Sequence, residues 1–172
     1  MVNDDNKFLT GVLHREATSD DSTPSLAEIG LNHFVPYLLN RIAASWNADL
    51  ADELRSFDLT TPQMRVLAVL SINSGLTINE LSTLTVTEQS TMSRTLDILE
   101  QRNFVRRRQR PLDMRVREVE ITSSGRGAFA EFWPVMFARY QAMFKDIGEK
   151  EFSELVGTLH KVLRNIRLGN GD

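Results

Sequence analysis

Apolar and polar residues recur with the period of an α-helix over most of this chain. The first such stretch runs from Ser25 to Phe57, and its spacing predicts one long amphipathic helix. Pro36 either bends this helix or marks its true start, because proline lacks a backbone N–H and fits best in a first turn. The apolar positions are Leu31, Phe34 or Val35, Leu38, Ile42, Trp46, Leu50, Leu54 and Phe57.

Two more helices are predicted from their start signals. Thr61 followed by Pro62 is typical of a helix start, with a capping residue and then proline in the first turn. The spacing of Thr77 and Glu80 is that of a capping box, in which each side chain accepts a hydrogen bond from the other residue's backbone amide. A short helix should therefore start at Thr77. The buried face of the helix after Pro62 is predicted to be Val66, Leu67, Val69, Leu70 and Ile72.

The next helix, predicted at 88–102, has two different faces. Its inward stripe is Met92, Thr95, Leu96 and Leu99. Its opposite face carries Gln89, Ser90, Ser93, Arg94 and Asp97. Asn103 should end the helix in a left-handed conformation, which asparagine tolerates best after glycine. Two short strands are predicted to follow, Phe104 to Gln109 and Arg115 to Ile121, joined by a loop from Arg110 to Met114.

Further segments are predicted after and before these helices and strands. Residues 122–146 predict a helix with a broad aromatic face and a kink at Pro134, and residues 149–167 predict a helix with heptad-like spacing. The aromatic face suits dimer packing better than a ligand cavity. Residues 1–24 predict a flexible tail, in which one apolar group suits either a partly ordered arm or a short helix on a partner. That group is Phe8, Leu9, Val12 and Leu13.

The order of these elements predicts the fold class: mainly α with a small β component (α+β), built around a winged helix-turn-helix. A helix with small polar residues and one arginine on its outer face can enter the DNA major groove. The hairpin beside it can follow the phosphate backbone. DNA binding is therefore the expected function.

The distribution of charge supports this expectation. The chain has a net charge of −3, yet residues 102–117 hold seven arginines and one acid. We call these residues the arginine segment. Sixteen of the twenty basic residues in the chain are arginine, whose rigid donor fork suits phosphate and guanine. Basic charge concentrated in one module is what a polyanion-binding face requires.

Composition and motifs argue against several other classes of function. The chain has no cysteine, which excludes disulfides, thiol catalysis and cysteine-ligated zinc, and its three histidines lack metal-ligand spacing. No phosphate-binding loop or nucleophile elbow is present, so we expect neither an enzyme nor a bound cofactor or metal. No stretch has the roughly 20 apolar residues of a membrane span, and no secretory signal is evident, so a cytoplasmic location is expected.

The motifs from Leu59 to Gly125 resemble the MarR family of bacterial transcription regulators, with the closest similarity to its SlyA-like branch. The resemblance rests on segments in a fixed order. These are Leu59 to Gln63, Val66-Leu67, Glu80-Leu81, Glu88-Gln89, Arg94 to Glu100, Phe104-Val105 with Arg107, Asp113 to Arg115, and Val119 to Thr122 with Gly125. The chain departs from the usual family pattern at Asn103, where glycine is typical, and at Met114, where a basic residue is common.

This resemblance implies a homodimer that binds a pseudo-palindromic operator on double-stranded DNA. It implies that Gln89, Ser90, Ser93 and Arg94 lie in the major groove, and that Arg107, Arg108 and Arg110 meet phosphate. Arg115 would enter the minor groove, with Asp113 holding the wing loop. The alternatives are a surface ion pair for Arg94, with Asp97 or Asp113, and a cap without a DNA role for Asp113.

The resemblance also divides the chain into functional parts. It implies a tail at 1–24, a dimerisation helix at 25–58, a DNA-binding domain at 59–122 and dimerisation helices at 123–172. A repressor released by a small aromatic or phenolic effector is expected, with candidate effector-binding residues His33, Arg41, Trp46 and Arg65. The alternative function is a winged-helix module that binds an acidic protein partner.

Overall fold

The computed structural model describes residues 26–110 and 113–169. The predicted tail at 1–24, with its short apolar group, and the centre of the predicted wing loop lie outside these residues. The described residues divide into two compact units, with the boundary in the sequence between Thr61 and Pro62.

In the described part of the first unit, two α-helices replace the single long one predicted. Helix α1 spans Leu26–Ile29, a 3-10 turn spans Leu31–His33, and helix α2 spans Val35–Leu54, followed by a 3-10 turn at Arg55–Phe57. Gly30 has a φ of 76°, a left-handed conformation that interrupts the helix before residue 31. Pro36 lies in the first turn of α2, so of the two alternatives it marks the start of the helix.

The second unit begins with three helices close together in sequence. Helix α3 spans Thr61–Ile72, α4 spans Ile78–Thr85 and α5 spans Gln89–Gln101. The start at Thr61 and the capping box are both confirmed. The prediction that Ile72 belongs to the buried face of α3 was wrong, because this residue is 85% exposed. Two residues beyond Leu70, Ile72 lies on the opposite side of the helix.

Three strands, not two, form the sheet of this unit. Strand β1 is Leu76–Thr77, β2 is Val105–Arg110 and β3 is Asp113–Ile121, in the antiparallel order β1-β3-β2. The first strand was not predicted because two residues are too short to show alternation. Leu76 pairs with Val119, so the sheet holds the segment between α3 and α4.

The core of the second unit draws on every one of its elements except β1 and α7. Because α5 contributes three fully buried side chains, its orientation is fixed by packing. The side chains with at most 1% exposure are Val66, Leu67 and Leu70 from α3, Leu81 from α4, Met92, Leu96 and Leu99 from α5, Val105 and Val119 from the sheet, and Phe132 from α6.

Two long helices complete the chain. Helix α6 spans Ser123–Met143, with Pro134 inside it, and α7 spans Glu149–Gly169. The hydroxyl of Thr122 caps α6 by accepting a hydrogen bond from the Gly125 amide at 3.1 Å. Four aromatic rings of α6 form a continuous ladder that passes through Phe144, just after the helix, and reaches α7, with neighbouring ring centres 5.0 to 6.4 Å apart. Its members are Phe129, Trp133, Phe137, Tyr140, Phe144 and Phe152.

The described chain is thus mainly helical with a small three-stranded antiparallel sheet. Helix α4, a turn, helix α5 and the β2–β3 hairpin follow one another as in a winged helix-turn-helix. The predicted fold class is confirmed.

Candidate nucleic-acid interface

Helix α5 has the two faces predicted for it. Met92, Thr95, Leu96 and Leu99 are buried on one side. The opposite side is exposed and carries Gln89, Ser90, Ser93, Arg94 and Asp97. Since the buried side anchors the helix, the exposed side presents its polar groups in a fixed direction.

The start of α5 is positioned by α4 and the turn between the two helices. Thr77 and Glu80 form the capping box of α4, with the Thr77 amide donating to Glu80 Oε2 at 2.7 Å. The turn passes through Val86, which has a left-handed φ of 52°. Gln89, the first residue of α5, donates from Nε2 to Asn79 Oδ1 of α4 at 2.8 Å. A side-chain hydrogen bond therefore joins the two helices at their exposed amino-terminal ends.

Arg94 is the exposed cation at the centre of the polar face. Its guanidinium has no hydrogen-bond or ion-pair partner among the residues that the structure describes. Asp97, one of the two acids considered as a partner for Arg94, instead binds Arg107 at 2.7 Å. Asp113, the other acid considered, has a side chain outside the described part of the structure, so within the described residues Arg94 is exposed and has no protein partner.

Arg107 lies on β2, in the β2–β3 hairpin that we call the wing, and its side chain contacts α5. Its guanidinium lies 2.6 Å from Glu100 and 2.7 Å from Asp97, and its backbone amide donates to Glu100 at 3.0 Å. Burial lowers the pKa of Arg107, but the hydrogen bonds to Asp97 and Glu100 together outweigh burial, so the pKa lies above the ordinary value. Arg107 therefore joins β2 to α5.

The other arginines of β2 are paired across the sheet. Arg106 and Arg108 bind Glu120 at 2.8 and 2.7 Å, and Arg110 binds Glu118 at 2.5 Å. Glu118 and Glu120 are less than a tenth exposed. Both acids lie just beyond the end of the arginine segment. The count of charges within that segment therefore overstated the excess of positive charge on the sheet. Much of the positive charge on β2 is balanced within the sheet.

Arg117 is a further exposed cation that sequence reasoning did not assign to the site. Alternation along β3 places it on the same face as Val119, and Val119 is paired with Arg107, which contacts α5. No ion pair to Arg117 is found within the described chain. The same alternation, read backwards from Val119 and Ile121, could have identified it.

Asp113 and Arg115 lie at the start of β3, where Asp113 is paired with Arg110 across the hairpin. Their side chains lie outside the described part of the structure. The roles predicted for them at the wing therefore stay predictions.

The four candidate effector residues fall in both units. His33 ends the first 3-10 turn, Trp46 is half-buried on α2, and the guanidinium of Arg41 lies 5.8 Å from the centre of the Tyr37 ring. Arg65, in the second unit, donates to the backbone carbonyl of Thr85 at 3.5 Å. This bond ties α3 to the end of α4. No contact in the described structure tests whether the four residues bind an effector, so the effector site stays a prediction.

The described residues contain no group of three or more His, Cys, Asp or Glu side chains that could hold a metal ion. Within the same residues, no helix is both long and apolar enough to cross a bilayer.

Comparison with known proteins identifies this arrangement. Residues 57–115 match the model of the MarR family. A MarR family regulator from Silicibacter pomeroyi is 42% identical with a TM-score of 0.78, covering 83% of this chain and 97% of that one. A second from the same organism is 35% identical with a TM-score of 0.76, covering 84% and 97%.

A relative of known role shows the same relationship. The HTH-type transcriptional repressor IacR of Pseudomonas putida is 27% identical over 143 residues, which are 83% of this chain and 86% of IacR. The chain therefore belongs to the MarR family of DNA-binding transcription regulators and is not an enzyme.

Proposed function

We propose that this regulator acts in the cytoplasm as a repressor, binding a pseudo-palindromic operator as a homodimer until a small aromatic or phenolic effector releases it. The observation that carries this proposal is the exposed polar face of α5, with Arg94 at its centre and without a partner among the described residues. A helix held by a buried stripe and carrying free donors on its outer side is suited to reading base edges.

The side chains of α5 match the chemistry of the major groove. Arg94 can donate two hydrogen bonds to guanine O6 and N7, and Gln89 can pair with adenine N6 and N7. Ser90 and Ser93 can each donate to or accept from a base or a phosphate. These four residues supply selectivity in the proposed complex.

The wing supplies affinity through the phosphate backbone and the minor groove. In this proposal Arg115 enters the minor groove, oriented by Asp113. Arg108 and Arg110 meet phosphate, since their side chains stay 47% and 42% exposed while they hold glutamates. Arg107, 18% exposed and bound to two acids, acts mainly by holding the wing against α5.

Dimerisation is assigned to residues 25–58 and 123–172, and DNA binding to 59–122. Trp133 and Phe137 of α6 are 46% and 41% exposed, and Leu163 and Ile166 of α7 are 52% and 57% exposed. Large exposed apolar side chains on two long helices favour an interface. A second copy of the chain is the partner that the two-fold symmetry of an operator requires.

Effector release follows from linkage. An effector that prefers a dimer with wrongly spaced α5 helices must lower DNA affinity by the same coupling free energy. His33, Arg41, Trp46 and Arg65 are proposed to bind it. Repression is supported by the likeness to IacR. The narrower placement in the SlyA-like branch remains a prediction.

Arg94→Ala tests the DNA-reading role of α5 in a duplex-binding assay. The variant should lose about 1 to 3 kcal/mol of binding free energy and relax base selectivity. Arg164→Ala, which removes an exposed arginine from α7, is the control for loss of one positive charge. Equal binding of the wild-type protein to all duplexes, unchanged in Arg94→Ala, would instead favour the alternative, a module that binds an acidic protein partner.

A further inference from the structure

A side-chain hydrogen bond joins α4 and α5, with Nε2 of Gln89 donating to Oδ1 of Asn79 at 2.8 Å. Both residues are exposed, and both line an open groove of about 520 Å³ beside the turn of the helix-turn-helix. An exposed glutamine at the start of a helix would otherwise sample several rotamers. Its bond to Asn79 selects one of them.

The direction of this hydrogen bond determines what Gln89 can offer a base. One N–H of the Gln89 amide is used on Asn79, while its second N–H and its Oε1 stay free. These are the donor and acceptor that adenine N7 and N6 require. The bond to Asn79 therefore leaves the adenine-reading edge of the glutamine intact and fixes its orientation.

Resting on the proposed reading of DNA by α5, we propose that Asn79 is a positioning residue for selectivity: it holds Gln89 so that the amide pairs with one adenine of the operator. Pre-ordering the glutamine removes part of the entropy that binding would otherwise cost. The gain applies only to the duplex whose base matches the fixed amide. Asn79 thus raises selectivity at one base pair without touching that base.

The backbone around Asn79 allows this role to be separated from folding. Asn79 is the second residue of α4, after the Thr77 cap and Ile78, and the capping box does not involve its side chain. Alanine is tolerated there because it is a good helix former. Aspartate is also tolerated, since a negative charge near a helix start is favourable.

The test is selection of bound duplexes from a pool with randomised operator positions, followed by affinity measurement on single-base variants. Gln89→Ala should abolish the preference at one base pair. Asn79→Ala should reduce that same preference about tenfold, with other positions and the salt dependence unchanged. The double variant should match Gln89→Ala, because the two residues act as one unit.

Asn79→Asp separates positioning from other roles. The carboxylate still accepts from Gln89, so the preference at that base pair should survive, while the added charge weakens binding to all duplexes alike. Thr83→Ala is the matched control. Thr83 lines the same groove, but its hydroxyl donates to the backbone carbonyl of Asn79 at 3.0 Å and not to the side chain, so this variant should keep the preference.

Either of two results would overturn this inference and leave the proposed function intact. One is a wild-type preference at the Gln89 position that Asn79→Ala leaves intact. The other is a loss of affinity in Asn79→Ala that is equal for all duplexes, which would make Asn79 a contact to the DNA backbone without a role in selectivity. A wild-type protein without any base preference would instead overturn the proposed function.

Discussion

Arg107 and Glu100 are joined twice, once from guanidinium to carboxylate at 2.6 Å and once from the Arg107 backbone amide to the same carboxylate at 3.0 Å. The first residue is on β2 and the second is near the end of α5. The wing and the helix are therefore fixed to each other both through side chains and through the backbone. A change in the angle of one element must move the other.

We expect Arg107→Lys to weaken DNA binding more than it weakens the fold. Lysine keeps the charge but cannot bind Asp97 and Glu100 through a planar fork, so the helix and wing lose their fixed relation. The expected result is a several-fold loss of affinity with native circular dichroism and a melting temperature within a few degrees of wild type. An affinity equal to wild type would show that the paired contact does not position the wing.

Arg117→Ala should lower the salt dependence of DNA binding. Arg117 is exposed on the α5 side of the sheet, without an ion pair in the described structure, so a phosphate can be its partner. Losing one phosphate contact should reduce the slope of log K against log salt by about one. The matched control is Arg106→Ala, because Arg106 is already bound to Glu120. Equal slopes for Arg117→Ala and wild type would exclude this contact.

The local signals of the sequence were sufficient to predict most of the winged helix-turn-helix. The capping box at Thr77, the buried stripe of α5 and the left-handed Asn103, with a φ of 57°, depend only on neighbours a few residues apart. Strand β1 was missed because its two residues acquire strand geometry only by pairing with β3. The break at Gly30 was likewise hidden within a continuous apolar pattern.

The candidate site was predicted less completely because charges and amides act through tertiary partners. The arginines of β2 looked free in sequence, but cross-strand register places Arg106 opposite Glu120 and Arg108 opposite Glu118. The Asn79–Gln89 bond joins residues on different helices and has no local signature. Spacing identified the face of α5, whereas only the structure shows which of its donors remain available.

Glu80 should make the stability of the protein depend on pH in the acid range. The Thr77 backbone amide, followed by the Thr77 hydroxyl, holds the pKa of Glu80 below its ordinary value of 4.5. A carboxyl with a lowered folded-state pKa stabilises the fold above the unfolded value, and the contribution is lost as pH falls through the folded value. Glu80→Gln should therefore be less stable than wild type at pH 7, with the difference vanishing well below pH 4.5.

Urea unfolding at a series of pH values measures this difference. Glu88→Gln is the control for loss of one acid, because Glu88 precedes α5 without a side-chain cap bond. Thr77→Ala, which removes the other half of the box, should cost about 1 kcal/mol at pH 7. A gap between wild type and Glu80→Gln that stays constant down to pH 2 would contradict the capping role of the Glu80 charge.

Gly125→Ala should destabilise the junction between the wing and α6. A Cβ at Gly125 would collide with the backbone carbonyl of Phe104 and lie 2.9 Å from Ile121 Cγ1. The carbonyl cannot move freely, because it accepts a hydrogen bond from the Thr122 amide at 3.0 Å. We expect a loss of about 1 to 3 kcal/mol in the free energy of unfolding.

Gly127→Ala provides the matched comparison two residues further along α6. No atom lies within 4 Å of a Cβ at Gly127, so alanine there should stabilise the helix by about 0.5 to 1 kcal/mol. Opposite signs for the two substitutions in thermal or urea unfolding are therefore expected. Stabilisation by both would mean that helix propensity outweighs the contact at Phe104, and that the wing is free to shift relative to α6.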